Sequence, residues 1–210
     1  MTRRLSALAL AVSVLVPAVG HAQTVRIGVF GAALTHTELN QDRRSIGGGG
    51  GGTIVVRLGR FGLDLSGFAA RLDSAEGGSQ KFDMVQGDAR LNFLMTPGLA
   101  LEVGASRRRV DPEFAVQDVG LGRVGLLSEI PISRAGSFWG RAAYLVAPRF
   151  NGGGDAGLAF EVGFGAAFGT RNGRFRGRVD YEFQRIDRTV NQQDVPIQVS
   201  MARLGIEVGF

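Results

Sequence analysis

The residues best suited to chemistry are few. His36 is followed by Asp42 and Ser45, the three residue types that supply base, orienting acid and nucleophile in a nucleophilic hydrolase. Such a set works only when the base is held against the nucleophile. Here six consecutive glycines, Gly47 to Gly52, follow directly. A run of that kind reads as a flexible loop tip, so residues 35–52 are expected to form a mobile outer loop in which His36 is an ordinary solvated side chain. The run lacks the Lys-Ser/Thr and the following helix of a phosphate loop. Gly152-Gly153-Gly154-Asp155 has the composition of a calcium repeat but occurs once, which makes it a turn. With no cysteine, and no partner for His36 at ligand spacing, neither a metal nor a cofactor is expected.

Charge is the other source of chemistry. Asp64, Asp88, Glu102, Glu161, Asp180, Glu182 and Glu207 oppose Arg57, Arg90, Arg141, Arg176, Arg178 and Arg203 on the polar sides of alternating segments. Sign-balanced sets of this kind can pair across strands, and inside a narrow barrel they would fill the lumen. Arg107-Arg108-Arg109 is placed at an outer strand end, where it would meet lipopolysaccharide phosphates or form an interfacial charge cluster without a specific ligand. The net charge of +5 falls to +3 without residues 1–22, and the basic residues interleave with acids rather than forming a patch. Nucleic acid is therefore not an expected partner.

The elements that must position these groups are strands. Arg3 and Arg4, the apolar run Leu5–Val16, Pro17 and Gly20-His21-Ala22 follow the pattern of a secretory signal. Cleavage is expected after Ala22, leaving residues 23–210 as one domain and His36 as the only histidine. No later apolar stretch reaches the roughly 18 residues of a membrane helix. Period-2 alternation runs through the rest. Phe175, Gly177, Val179, Tyr181 and Phe183 oppose Arg176, Arg178, Asp180, Glu182 and Gln184, an amphipathic strand with one charged face.

Ten strands are expected at 24–34, 53–61, 62–72, 82–95, 98–109, 116–130, 137–147, 157–169, 174–187 and 196–210. Residues 116–130 alternate poorly, because Val119, Leu121 and Leu127 compete with Val124, Leu126 and Ile130 for the apolar face; misreading that segment or the short second strand would leave eight strands. Arg60-Phe61-Gly62, Thr96-Pro97-Gly98, Pro131–Gly136 and Thr170–Gly173 read as short turns. The longer connections are 35–52, 73–81, 110–115, 148–156 and 188–195. Short turns at one end and longer loops at the other mark a barrel of the outer membrane, with both termini on the periplasmic side.

Alternation alone does not say which face is outside, and a soluble lipocalin-like barrel is the structural rival. The last strand bears on this. Counting back from Phe210, every second residue is apolar (Val208, Ile206, Leu204, Ala202), with Glu207 and Arg203 between. This resembles the C-terminal targeting strand of bacterial outer-membrane proteins, and with the signal and turn pattern the chain resembles the small OmpA/OmpX-type barrel class. The resemblance implies a transmembrane antiparallel β-barrel, recognition of Leu204, Ile206, Val208 and Phe210 by the barrel-assembly machinery, and contact with outer-membrane lipid and lipopolysaccharide. Phe61, Phe93, Phe138, Phe168, Phe175 and Phe210 fall near the ends assigned to the periplasm, as an interfacial belt would. No omptin-type, lipid A deacylase or acyltransferase motif is seen, and no periplasmic domain is expected after Phe210.

Barrels of about eight strands hold packed side chains, whereas porins use about 16–18. The expected function is therefore non-enzymatic, a structural or surface-interaction barrel with a mostly plugged lumen. A narrow small-solute channel is the alternative, since Gly163, Gly165 and Ala167 would leave a path beside the eighth strand.

Overall fold

The computed structural model describes residues 23–41, 43–75, 81–112, 117–169 and 173–210. The expected signal at 1–22 lies outside these residues, as do Asp42 and residues 76–80, 113–116 and 170–172, with most of the turn read at Thr170–Gly173. The strands are β1 (Gln23–Glu38), β2 (Arg43–Leu58), β3 (Phe61–Ser74), β4 (Lys81–Thr96), β5 (Leu99–Asp111), β6 (Val119–Ser133), β7 (Gly136–Phe150), β8 (Asp155–Phe168), β9 (Phe175–Val190), β10 (Gln193–Asp194) and β11 (Ile197–Gly209). β1 to β9 pair antiparallel in sequence order, β9 pairs β11, and β11 pairs β1. That closes a ring of ten long strands, with the β7–β8 ladder running from Gly136 opposite Phe168 to Tyr144 opposite Phe160. The two-residue β10 only extends one hairpin against Thr189 and Val190.

At one end the hairpins turn tightly through Gly59-Arg60, Pro97-Gly98 and Arg134-Ala135, with Gly59 and Gly98 at positive φ where a side chain would be strained. β1 starts and β11 ends at the same end, since Arg26 pairs with Gly209. The turns sit slightly off their expected places. Phe61 and Gly62 belong to β3, and β6 runs through Pro131 to Ser133.

The largest difference from the sequence reading lies in β2. Residues 35–38 and 43–52 are strand rather than loop: β1 continues to Glu38, β2 begins at Arg43, and the glycine run is paired on both sides, with Ala33 opposite Gly48 and Gly48 opposite Arg71. Glycine carries no hydropathy, so a glycine strand is invisible to alternation. Its inward positions are required by space. A Cβ on Gly47, Gly49 or Gly51 would lie about 2 Å from a carbonyl oxygen of β3, and on Gly51 also 2.7 Å from the Phe30 ring. The outward Gly48 would meet nothing closer than 3.4 Å. The bare inner face lets the wall close over Phe30 and Phe68. The other long connections shorten similarly, with β7 reaching Phe150 and β9 reaching Val190.

Burial alternates along the strands. In β4, Phe82, Met84, Gln86, Asp88, Arg90 and Asn92 are buried, while Val85, Ala89, Leu91 and Phe93 between them are exposed. The strands thus present one face to the lumen and the other to the surroundings. β6, whose alternation is poor in sequence, obeys the same rule. Val119, Leu121 and Arg123 point inward and Val124, Leu126 and Ile130 outward. Both of its sides are apolar over part of its length, because the lumen there is apolar too.

Candidate functional site

The lumen is stratified. Its middle layer is ionic, built from β4 to β9 and β11. Arg90 lies at the centre, with Glu161 at 3.2 Å, Glu182 at 3.4 Å and Glu102 at 3.8 Å. Arg123 bridges Asp88 (2.7 Å) and Glu161 (2.9 Å). Arg141 donates to Glu102 at 2.9 Å. Arg203 binds Asp180 and, at 3.2 Å, Glu182. Arg108 donates to Gln86 (2.9 Å) and Gln184, and those amides donate in turn to Asp88 and Glu161. Five arginines (Arg90, Arg108, Arg123, Arg141, Arg203) thus share the layer with five carboxylates (Asp88, Glu102, Glu161, Asp180, Glu182), Arg108 reaching Asp88 and Glu161 through the two glutamines. The side chains of Arg123, Glu102 and Glu161 are 0% exposed. Burying charge is costly, and only near-complete pairing makes such a layer tolerable.

Toward the short-turn end the charges loosen. Arg57 pairs with Asp64, Arg176 with Glu129 at 2.8 Å, and Arg178 with Asp180 (2.8 Å) and Glu207 (3.4 Å). All thirteen residues singled out from the sequence for a lumen network point inward, nine in or against the middle layer and Arg57, Asp64, Arg176 and Glu207 near this mouth. The network expected from sequence leaves out Arg123, Gln86 and Glu129. It also leaves out Gln184, although that residue falls on the charged face, and Arg108, which is placed with Arg107 and Arg109 at an outer strand end. Arg123 was recoverable by counting in twos from Leu121. Beside Gly163 and Gly165 the space is taken by Trp139, whose ring lies 3.5 Å from where a Cβ on Gly163 would be and whose Nε1 lies 2.8 Å from one on Gly165; Ala167 lines a cavity at the short-turn end. The indole is flanked by the guanidiniums of Arg178 and Arg141, 4.7 and 5.5 Å from the ring centroid, a cation–π arrangement.

Toward the long-connection end the filling is apolar, contrary to a lumen filled by charge throughout. Leu34, Phe68, Leu72, Phe82, Met84 and Met201 form one cluster. Val119, Leu121, Leu145, Ala159 and Ile186 form another. Beyond them His36 is buried rather than solvated. It stands edge-on to Phe82 (5.6 Å) and hydrogen-bonds Gln117. Gln117 also donates to Glu38. Ser45 is the register partner of His36 on β2.

The outside is the reverse of the inside. From Met95 to Val85 every outward side chain of β4 is apolar or absent, and Asp83 and Lys81 follow. Ten residue steps at about 3.3 Å and about 40° of tilt give a band roughly 25 Å tall, the height of the apolar zone of a membrane barrel. At its short-turn edge Phe61, Phe93, Phe138, Phe168, Phe175 and Phe210 all face outward. At the opposite edge the charges are exposed, in pairs such as Arg71–Asp83 and Lys81–Asp73. A soluble barrel would not wrap a charged core in an apolar belt.

This chain is a transmembrane β-barrel of the outer-membrane type. Its short-turn end is the one that such barrels present to the periplasm. The outer membrane protease OmpT from Escherichia coli shares the fold with a TM-score of 0.52 and 11% identity, over 90% of this chain and 96% of that one. Neisserial surface protein A aligns with a TM-score of 0.45 and 11% identity, over 90% of this chain and 100% of that one. An outer membrane channel from Pseudomonas putida F1 aligns with a TM-score of 0.47 and 10% identity, over 92% and 97%. No protein-family model matches the chain, and no curated protein sequence does. On this barrel the Arg107–Arg109 triplet divides. Arg108 points into the lumen, while Arg107 and Arg109 face outward, and Arg107 shares a row with Gly120 and the outward Arg149.

Proposed function

We propose that this outer-membrane-type barrel is non-enzymatic, is closed to solutes, and acts through its outer surface and loops. The observation that carries the reading is the stacking of two unlike fillings in one narrow lumen. A charge layer of five arginines and five carboxylates lies beneath clusters of Leu, Phe, Met, Val and Ile. An ion that entered the first would meet groups already paired. In the second it would lose its hydration with nothing to replace it. A ring of ten strands is near the size at which side chains fill the interior. On the same reading, residues 1–22 direct export, and Leu204, Ile206, Val208 and Phe210 present the strand that the assembly machinery recognises. Arg107, Arg109 and Arg149 would then stand at the outer edge of the apolar band, in the rows of Gly87 and Val85, within reach of lipopolysaccharide phosphates.

The test is conductance of the refolded protein in a planar bilayer, with insertion checked separately. Inserted protein is expected to remain silent. Reproducible single-channel steps would overturn the reading in favour of a narrow small-solute channel.

A further inference from the structure

The short-turn end of the lumen holds a cavity of about 260 Å3, just under the roughly 300–1,000 Å3 of pockets for drug-sized ligands. Its wall carries six arginines (Arg26, Arg57, Arg60, Arg141, Arg176, Arg178) against three carboxylates, Asp64, Glu129 and Glu207. Arg141 already belongs to the balanced middle layer through Glu102; without it five arginines still face three carboxylates, so a positive excess remains at the mouth. Among the described residues, three buried donors in this wall have no acceptor (Trp139 Nε1, Arg141 Nη1 and Arg176 Nε) and one buried acceptor, Asn92 Oδ1, has no donor. In the middle layer Arg90 Nε and Glu102 Oε1 face one another at 3.8 Å, and Arg123 Nε is left over there. Buried donors without acceptors are uncommon in folded proteins and point to something that satisfies them. Leu94, Ala100 and Leu127 complete the wall with apolar surface.

We propose that this vestibule binds a small organic oxyanion, a carboxylate or a phosphate, from the periplasmic side. The charged end would take its bonds from Arg141, Arg176 and Trp139, and the organic part would lie against Leu94 and Leu127. Binding of this kind requires no passage through the barrel, so it stands apart from the question of conductance.

Trp139 is the only tryptophan in the chain, which makes the site its own reporter. The refolded protein in detergent is titrated with phosphate, with citrate, and with chloride at matched ionic strength, following Trp139 emission and, on the same samples, heat by calorimetry. The expected result is saturation with phosphate or citrate at or below about 10 mM and none with chloride. Saturation with phosphate alone assigns a phosphate group, and with citrate alone a carboxylate. Arg176→Gln, with folding verified by heat-modifiable gel migration, is expected to weaken binding at least about tenfold. No saturation in either readout would mean that water alone satisfies these donors, and the proposal fails. Equal binding by the wild type and Arg176→Gln places the anion elsewhere and overturns it as well.

Discussion

Replacing Arg123 by methionine removes the guanidinium that joins Asp88 to Glu161 and keeps much of its volume. Asp88 is then left with the Gln86 amide at 3.1 Å. Glu161 keeps Arg90 at 3.2 Å and Gln184 at 3.4 Å. The Arg123 and Glu161 side chains are fully buried and that of Asp88 is 4% exposed, so the loss falls in the class of a broken buried pair, about 3–5 kcal/mol. An exposed pair would cost about 1 kcal/mol or less. With a urea dependence of about 2 kcal/mol/M, the midpoint should fall by about 1.5–2.5 M. Asp88→Leu alone should cost a comparable amount. The double variant, which removes both charges together, should lose less than the sum of the singles by at least about 1.5 kcal/mol. The assay is urea unfolding of the protein in lipid vesicles, followed by Trp139 emission. Single losses below about 1 kcal/mol with additivity within about 0.5 kcal/mol would show that the layer is wet. The reasoning from a dry ionic layer to a closed lumen would then be refuted together with the energy.

Two further outcomes are expected. Gly49→Ala places a Cβ 2.0 Å from the Ala69 carbonyl and 2.7 Å from the Ala70 Cβ; it should cost about 2 kcal/mol or more or prevent assembly, read as loss of the heat-modifiable species on gels. Gly48→Ala, one residue away but facing outward, should stay within about 0.5 kcal/mol of the wild type. Phe210→Ala should lower the amount of barrel reaching the outer membrane in cells while leaving refolding into vesicles nearly unchanged. Equal loss in both settings would make Phe210 a packing residue rather than an assembly signal.

What could be read from the sequence depended on contrast between the two faces of each strand. β4 and β9 were legible because one side is charged and the other apolar, so period two names the faces and their partners at once. The phenylalanine girdle was legible for the same reason, since its place follows once the turns are found. β2 was not, because glycine gives neither face a character, and its strand state comes from the neighbours it lets approach. The apolar half of the lumen was hidden by a different loss of contrast. Where Leu121 points inward and Leu126 outward, alternation weakens although the strand is regular. Arg123 was lost in that same stretch. Trp139 could be placed on β7, but nothing in sequence says that Gly163 and Gly165 on the facing strand make room for its ring.

The glycine strand also has a consequence in length rather than composition. Its six residues differ to their neighbours only in the direction their absent side chains would point. Removing one would turn everything on the far side of the run over, sending Ile46 into the lumen and Ser45 toward lipid. Removing two would restore every facing and merely draw the outer end of β2 inward by one pleat, about 7 Å. The barrel therefore distinguishes changes in this run by parity, with even steps resizing its outer rim and odd ones inverting it.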